Sequence, residues 1–189
     1  LTVDPINYTT AAYSIVTGSP AEFTQAQFDA QYEEMYNLTV YLLQTYKNSG
    51  KTFVPQTNNE ADWAIVNAKG KQISISIRNT INLWNNAQNA INNAKHNYPT
   101  SGVRVYQGCE VNKVLKAMNK AKTATNNVVP STYCDLYGYS AYDTIWPSSG
   151  NYNSKNFLKA LNYLDKKARP SQDFGDKNIY ISEFGFRED

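Results

Sequence analysis

Near the C-terminus the chain runs Asn178-Ile179-Tyr180-Ile181-Ser182-Glu183-Phe184-Gly185. The Ile and Tyr residues of this stretch follow the turn residues Gly175-Asp176, which predicts a short strand over Asn178–Ser182 that runs straight into a carboxylate. Immediately upstream, Asn156–Ala168 predicts a helix with Phe157, Leu161 and Leu164 on one face and Pro170 beyond its end. The same pairing recurs toward the N-terminus. Strands are expected at Thr52–Gln56, Val103–Cys109 and Asp135–Ser140. Helices are expected from the capping box Thr24-Gln25-Ala26-Gln27 to Gly50, from about Ile77 to Asn97, and from Val111 to Ala124. The approach Ile73-Ser74-Ile75-Ser76-Ile77 alternates like a strand. Regular alternation of helix and strand predicts an α/β fold with a parallel sheet, in one domain spanning residues 1–189 without a dividing linker.

Composition narrows the chemistry. Hydrophobic residues make up 41% and charged residues 18% of the 189, enough apolar side chain for a packed core. With 18 Lys+Arg against 16 Asp+Glu the net charge is +2, too weak a field to argue for nucleic acid as a partner. No run of 18 apolar residues argues for a membrane span. One histidine, His96, and two cysteines, Cys109 and Cys134, are too few to compose a zinc site, and no G-x-S-x-G turn accompanies His96 for a serine triad. Phosphate-binding glycine loops are absent too. Carboxylates and tyrosines remain, and neither a metal nor a cofactor is expected.

Cys109 and Cys134 fall at opposite ends of neighbouring predicted strands, so buried free thiols are expected rather than a disulfide. Two N-x-T sequons, Asn7-Tyr8-Thr9 and Asn37-Leu38-Thr39, are glycosylation acceptors if the chain is secreted.

In parallel α/β folds the functional loops follow the C-terminal ends of the strands. Those ends read Thr57-Asn58-Asn59-Glu60-Ala61-Asp62-Trp63, Cys109-Glu110-Val111-Asn112, Tyr139-Ser140-Ala141-Tyr142-Asp143 and Ser182-Glu183-Phe184-Gly185. A Glu follows three of the four. Carboxylates gathered at one end of a sheet repel, which is useful where one must stay protonated as an acid while another is ionised as a nucleophile. Glu110 directly opens the third expected helix, where a carboxylate serves the helix dipole, and Glu60 and Asp62 fit a first helical turn equally well. Glu183 has no helix behind it. His96, at a helix end, reads as a solvated cation, and Trp146 lies in a loop after a strand.

On Ile179–Gly185 the chain resembles the nucleophile strand of the (β/α)8 retaining glycoside hydrolases, in which the nucleophile Glu ends strand seven, often as E-F-G. The resemblance implies an acid/base Glu at the end of strand four, after an Asn that holds the sugar, and Asn59-Glu60 matches that pair. Where the family often has Pro after this Glu, the chain has Ala61, and Glu110 competes for the acid/base role. Two strands lie between Glu60 and Glu183, as between strands four and seven of the family. Tyr139 or Tyr142 would take the place of the tyrosine that touches the nucleophile, Asn59, Asn112 and Trp146 would contact sugar, and Tyr106 would point into the barrel in phase with Glu110.

These correspondences imply hydrolysis of O-glycosidic bonds in an oligo- or polysaccharide by an extracellular enzyme, through Glu183 as nucleophile and Glu60 as general acid/base. The alternative is a carbohydrate-binding or inactive fragment of such a barrel. Strand starts at 52, 103, 135 and 178 are so widely spaced that eight units would exceed the ~250 residues typical of the fold. The expected architecture is therefore a parallel (β/α) barrel in part, strands four to seven with flanking helices, with Leu1-Thr2-Val3 as the end of strand three.

Overall fold

A computed structural model describes residues 21–57, 60–145 and 154–185. Leu1–Val3, Asn7, Asn59 and Trp146 lie outside the described residues. The fold is mixed α/β with parallel strands.

Helix α1 (Gln25–Thr45) opens on Thr24, whose hydroxyl accepts the Gln27 N–H while the Gln27 side chain accepts the Thr24 N–H. This reciprocal cap satisfies two of the donors that every helix start leaves open. Strand β1 (Lys51–Phe53) follows, then the short helix α2 (Asp62–Val66) and the long helix α3 (Gln72–Asn97). The stretch Ile73–Ile77 is helical. Ile73, Ile77 and Ile81 pack against the main core, so their i, i+4 spacing prevails over the local alternation. Met35, Leu42 and Leu43 of α1 meet Ala87, Ala90 and Ile91 of α3 and Val103 and Val105 of strand β2 (Val103–Val105).

The expected second strand is divided into β2 and β3 (Gly108–Val111). Its partner explains why. Tyr106 N donates to Phe53 O and Gly108 N to Pro55 O, but Pro55 has no N–H to return between them. The pairing of Gln56 with Gly108 keeps the offset of Lys51 with Val103, so the two small sheets follow one register. Strands β4 (Leu136–Ser140) and β5 (Ile179–Glu183) complete the order β3-β4-β5, all parallel and neighbours in chain order.

The helix expected over Val111–Ala124 is replaced by the end of β3 and two short helices, α4 (Val114–Met118) and α5 (Ala124–Asn127). Lys120, at φ +63°, breaks the helical path between them, and Thr123 caps α5 through the Asn126 N–H. A 3-10 turn at Val129–Ser131 leads to β4. Helices α6 (Tyr142–Ile145) and α7 (Ser154–Asp165) join β4 to β5.

One face of the sheet carries Cys109, Val111, Tyr137 and Tyr139 into a core shared with Trp84, Val114, Val128 and Leu164. Trp84 is fully buried, and its truncation to Ala would cost about 3–5 kcal/mol. Cys109 and Cys134 form a disulfide in this core, contrary to the expected free thiols. The division at Pro55 makes Cys109 the second residue of β3, next to the segment that enters β4, so the two cysteines share an end instead of standing at opposite ones. Tyr106 packs edge-on against Phe174 with Lys95 near its ring, toward the N-terminal end of β5 and four residues before Glu110. His96 is exposed in the last turn of α3.

Candidate active site

The opposite face of the sheet holds the polar residues. Strand alternation sets Gly108 and Glu110 of β3, Gly138 and Ser140 of β4, and Tyr180 and Ser182 of β5 on this side. The strands crowd here. A Cβ at Gly138 would lie 2.8 Å from Ser182 Cβ and 2.9 Å from Tyr180 Cζ, so only glycine fits without movement. Tyr180 spans the face and its hydroxyl accepts from Gln56 Nε2 at 3.1 Å.

Alternation alone would turn Glu183 away from Ser182. An irregularity prevents that: Tyr139 pairs with Ile181, but Ser140 pairs with Glu183, so the ladder skips Ser182. Such a bulge re-aims a side chain without ending the strand. Ala141 N then donates to Glu183 O at 2.9 Å, locking the shifted register. As a result the Glu183 carboxylate reaches Ser140 Oγ at 3.1 Å.

Glu60 arrives at the same hydroxyl from the loop after β1, with its Oε1 3.3 Å from Ser140 Oγ. Its own φ is +48°, a left-handed conformation that a residue with a Cβ adopts only when its surroundings hold it. Two contacts hold it. Glu60 N donates to Glu110 Oε2 at 2.8 Å, and Trp63 Nε1 donates to Glu60 Oε2 at 2.8 Å. Lys113 Nζ stands 3.7 Å from the centre of the Trp63 ring, a cation–π contact with that indole.

Glu110 is therefore a strand residue beneath the other two carboxylates, not the first residue of a helix. It is fully buried, and its Oε1 makes no hydrogen bond among the described residues. Burial pushes its carboxyl above the usual range. The nearby Ser182 hydroxyl and the Glu60 N–H draw it back, and the charges of Glu183 and Glu60 add to the rise.

Asp62 lies in the first turn of α2, as expected of a first-turn acid, and it also joins distant segments. Its buried carboxyl accepts from Asn112 N at 2.8 Å, Lys113 N at 3.0 Å and Ala124 N at 2.7 Å. It thus ties the loop after β1 to the loop after β3 and to the start of α5. Burial raises its pKa, while those three N–H groups oppose the rise.

Asn112, just past the end of β3, is buried, yet neither atom of its side-chain amide has a partner among the described residues. Tyr139 does not meet Glu183. It is buried on the helix side of β4, with its hydroxyl bonded to Asp143 and 3.0 Å from Thr144 Oγ1, because odd positions of this strand face the core. Burial and the adjacent Asp143 carboxylate push its phenol up, so it stays a donor. Tyr142 is 40% exposed and stands past the end of β5, where a Cβ on Gly185 would be 3.6 Å from its hydroxyl.

The structure thus brings together Glu60, Glu110 and Glu183. Ser140, Ser182 and Trp63 join them without having been singled out by sequence. Trp63 meets Glu60 through the turn that leads into α2, where Trp63 N donates to Glu60 O at 3.1 Å. Ser140 was accessible by parity with Gly138. Among the described residues no group of three or more His, Cys, Asp or Glu side chains is placed to hold a metal ion, and no helix is long and apolar enough to cross a membrane. No protein-family model, curated protein or solved structure matches the chain.

Proposed function

We propose that this chain hydrolyses O-glycosidic bonds of an oligo- or polysaccharide by a retaining double displacement, with Glu183 as nucleophile and Glu60 as general acid/base. One observation carries the reading: carboxyls from the first and last described strand ends meet on the single hydroxyl of Ser140, at 3.3 and 3.1 Å. The two contacts place one oxygen of each carboxyl within two hydrogen-bond lengths of the other; a separation of ~5–5.5 Å between the carboxyl groups marks retention and ~6.5–9.5 Å inversion. In this reading Glu60 protonates the leaving oxygen as Glu183 attacks the anomeric carbon, and Glu60 then takes a proton from the water that releases the sugar. Glu110, buried and bonded to the Glu60 N–H, positions Glu60 rather than replacing it.

Four further features agree. Parallel strands adjacent in chain order fit strands four to seven of a (β/α)8 barrel, with the carboxylates at their C-terminal ends. The unpartnered Asn112 amide offers both a donor and an acceptor to a polyhydroxylated ligand. No step requires a metal or cofactor. The Cys109–Cys134 disulfide suits an oxidising, extracellular setting.

A second reading, a carbohydrate-binding or inactive piece of such a barrel, is favoured by the outer edge of β5. No strand covers it among the described residues, and Ile181 and the following Phe184 are 42% and 67% exposed. Turnover of a panel of aryl glycosides by the wild type and by Glu183→Ala separates the two. Hydrolysis that falls by about 10³-fold or more in the variant supports the enzyme, and sugar binding without turnover by the wild type supports the binding fragment.

A further inference from the structure

A serine hydroxyl has one proton to donate and two lone pairs that accept. Ser140 Oγ faces two carboxyl oxygens, Glu60 Oε1 and Glu183 Oε2, and cannot donate to both at once. With both carboxylates ionised, one contact would set lone pair against lone pair. Both contacts are satisfied when one carboxyl carries a proton: that carboxyl donates to Oγ, and Oγ donates to the other.

Trp63 fixes which oxygen of Glu60 takes part in this chain. Its indole N–H, which can only donate, occupies Glu60 Oε2 at 2.8 Å. A proton on Glu60 therefore belongs on Oε1, the oxygen that faces Ser140. The rest of the surroundings is fixed: Glu110 is engaged with the Glu60 N–H, Ser182 lies beside Glu110, and Lys113 sits over the Trp63 ring. None of these can take over the hydroxyl's place between the two carboxyls.

We infer that Ser140 is a positioning residue whose single proton changes partner during the reaction: it donates to Glu183 while Glu60 Oε1 holds the proton of the pair, and turns to Glu60 once Glu183 is esterified. This rests on the hydrolase reading above. In the first step a bond forms between a Glu183 oxygen and the anomeric carbon, the bond from that carbon to the leaving oxygen breaks, and the Glu60 proton passes to the leaving oxygen. Negative charge thus moves from Glu183 to Glu60, and the Ser140 hydroxyl follows it. In the second step water attacks the anomeric carbon and gives its proton to Glu60. Glu183 departs as a carboxylate, and the hydroxyl turns back.

The test is a pH titration of substrate-free protein carrying ¹³C-labelled glutamate carboxyls, with Glu60 and Glu183 assigned from Glu60→Gln and Glu183→Gln. In the wild type the pair should release its two protons in two separated steps, because the singly protonated state alone is well satisfied. Ser140→Ala should narrow the ratio between the two step constants by about tenfold to a hundredfold, the worth of a hydrogen bond to a charged group. Ser140→Thr, which restores a hydroxyl, should return the separation. Should the alanine variant fail to fold, Ser140→Cys, with its weaker donor, should show part of the narrowing. Unchanged steps in Ser140→Ala would overturn the inference. The measurement involves no turnover. Narrowing in a protein that hydrolyses no glycoside would keep the shared proton and remove the hydrolase reading, and active protein with unchanged steps would do the reverse.

Discussion

The main-chain N–H of Glu60 donates to the Glu110 carboxylate at 2.8 Å, so one acid of the site is held by another through its backbone. Glu60 is thereby kept in a left-handed conformation that aims its side chain back over the sheet. The strain and the buried carboxylate belong to the same feature, and both act on stability.

Replacing Glu110 by Gln keeps an oxygen for the Glu60 N–H and removes the charge. Burial raises the Glu110 carboxyl in the folded protein, so the fold binds that proton more tightly than the unfolded chain does. The resulting stabilisation is complete below the ordinary Glu value of about 4.3 and is lost as pH rises through the raised one. The unfolding midpoint of Glu110→Gln in urea should therefore gain on that of the wild type from about pH 4 upward. A difference that does not vary with pH would contradict this account of Glu110.

Tyr139 and Tyr142 are separated by a conservative change at each. Tyr139→Phe removes a buried hydroxyl from Asp143 and Thr144 and should cost about 1–3 kcal/mol of unfolding free energy. Its ring lies on the far side of the strand, so glycoside turnover by the folded variant should stay within about threefold of wild type. Tyr142→Phe should leave stability within about 0.5 kcal/mol and lower turnover, since this exposed phenol stands beside Gly185. Thermal melts and steady-state rates of the two variants check both halves.

The Cys109–Cys134 bridge closes a loop of sequence separation 25. Its removal should cost about 3 kcal/mol, or roughly 6–12 °C in melting temperature for a domain of this size. Melting of the wild type with and without reductant, beside Cys109→Ser/Cys134→Ser, measures this. Thiol counting on unfolded, unreduced protein should find no free cysteine.

Gly138→Ala places a methyl group 2.8 Å from Ser182 Cβ. β4 cannot retreat easily, because it is paired on both sides. A loss of about 1–3 kcal/mol is expected, together with reduced turnover as Ser182 and Glu183 shift. Chemical denaturation and kinetics of this one variant report both effects.

The parallel strands could be read from runs of Val, Ile and Tyr between turns, and the meeting of Glu60 with Glu183 followed from both lying at C-terminal strand ends. Other features arise from contacts between segments distant in the chain. Pro55 divides a strand that it does not belong to, and that division moves Cys109 next to Cys134. Lys120 gives no compositional sign of its left-handed turn, and the helix expected over Val111–Ala124 ends there. Least legible was the bulge at Ser140. A period of two assigns Ser182 and Glu183 to opposite faces, and only the paired strand shows that both reach the same one.

In the proposed double displacement Glu183 forms a covalent bond with the sugar. Incubation with a panel of activated 2-deoxy-2-fluoro glycosides, followed by digestion and peptide mass mapping, tests it most directly. One fluoroglycosyl adduct is expected, on Glu183 in the peptide containing Ile179–Phe184, and none in Glu183→Gln. An adduct on Glu60 or Glu110 instead, or one that persists in Glu183→Gln, would contradict it.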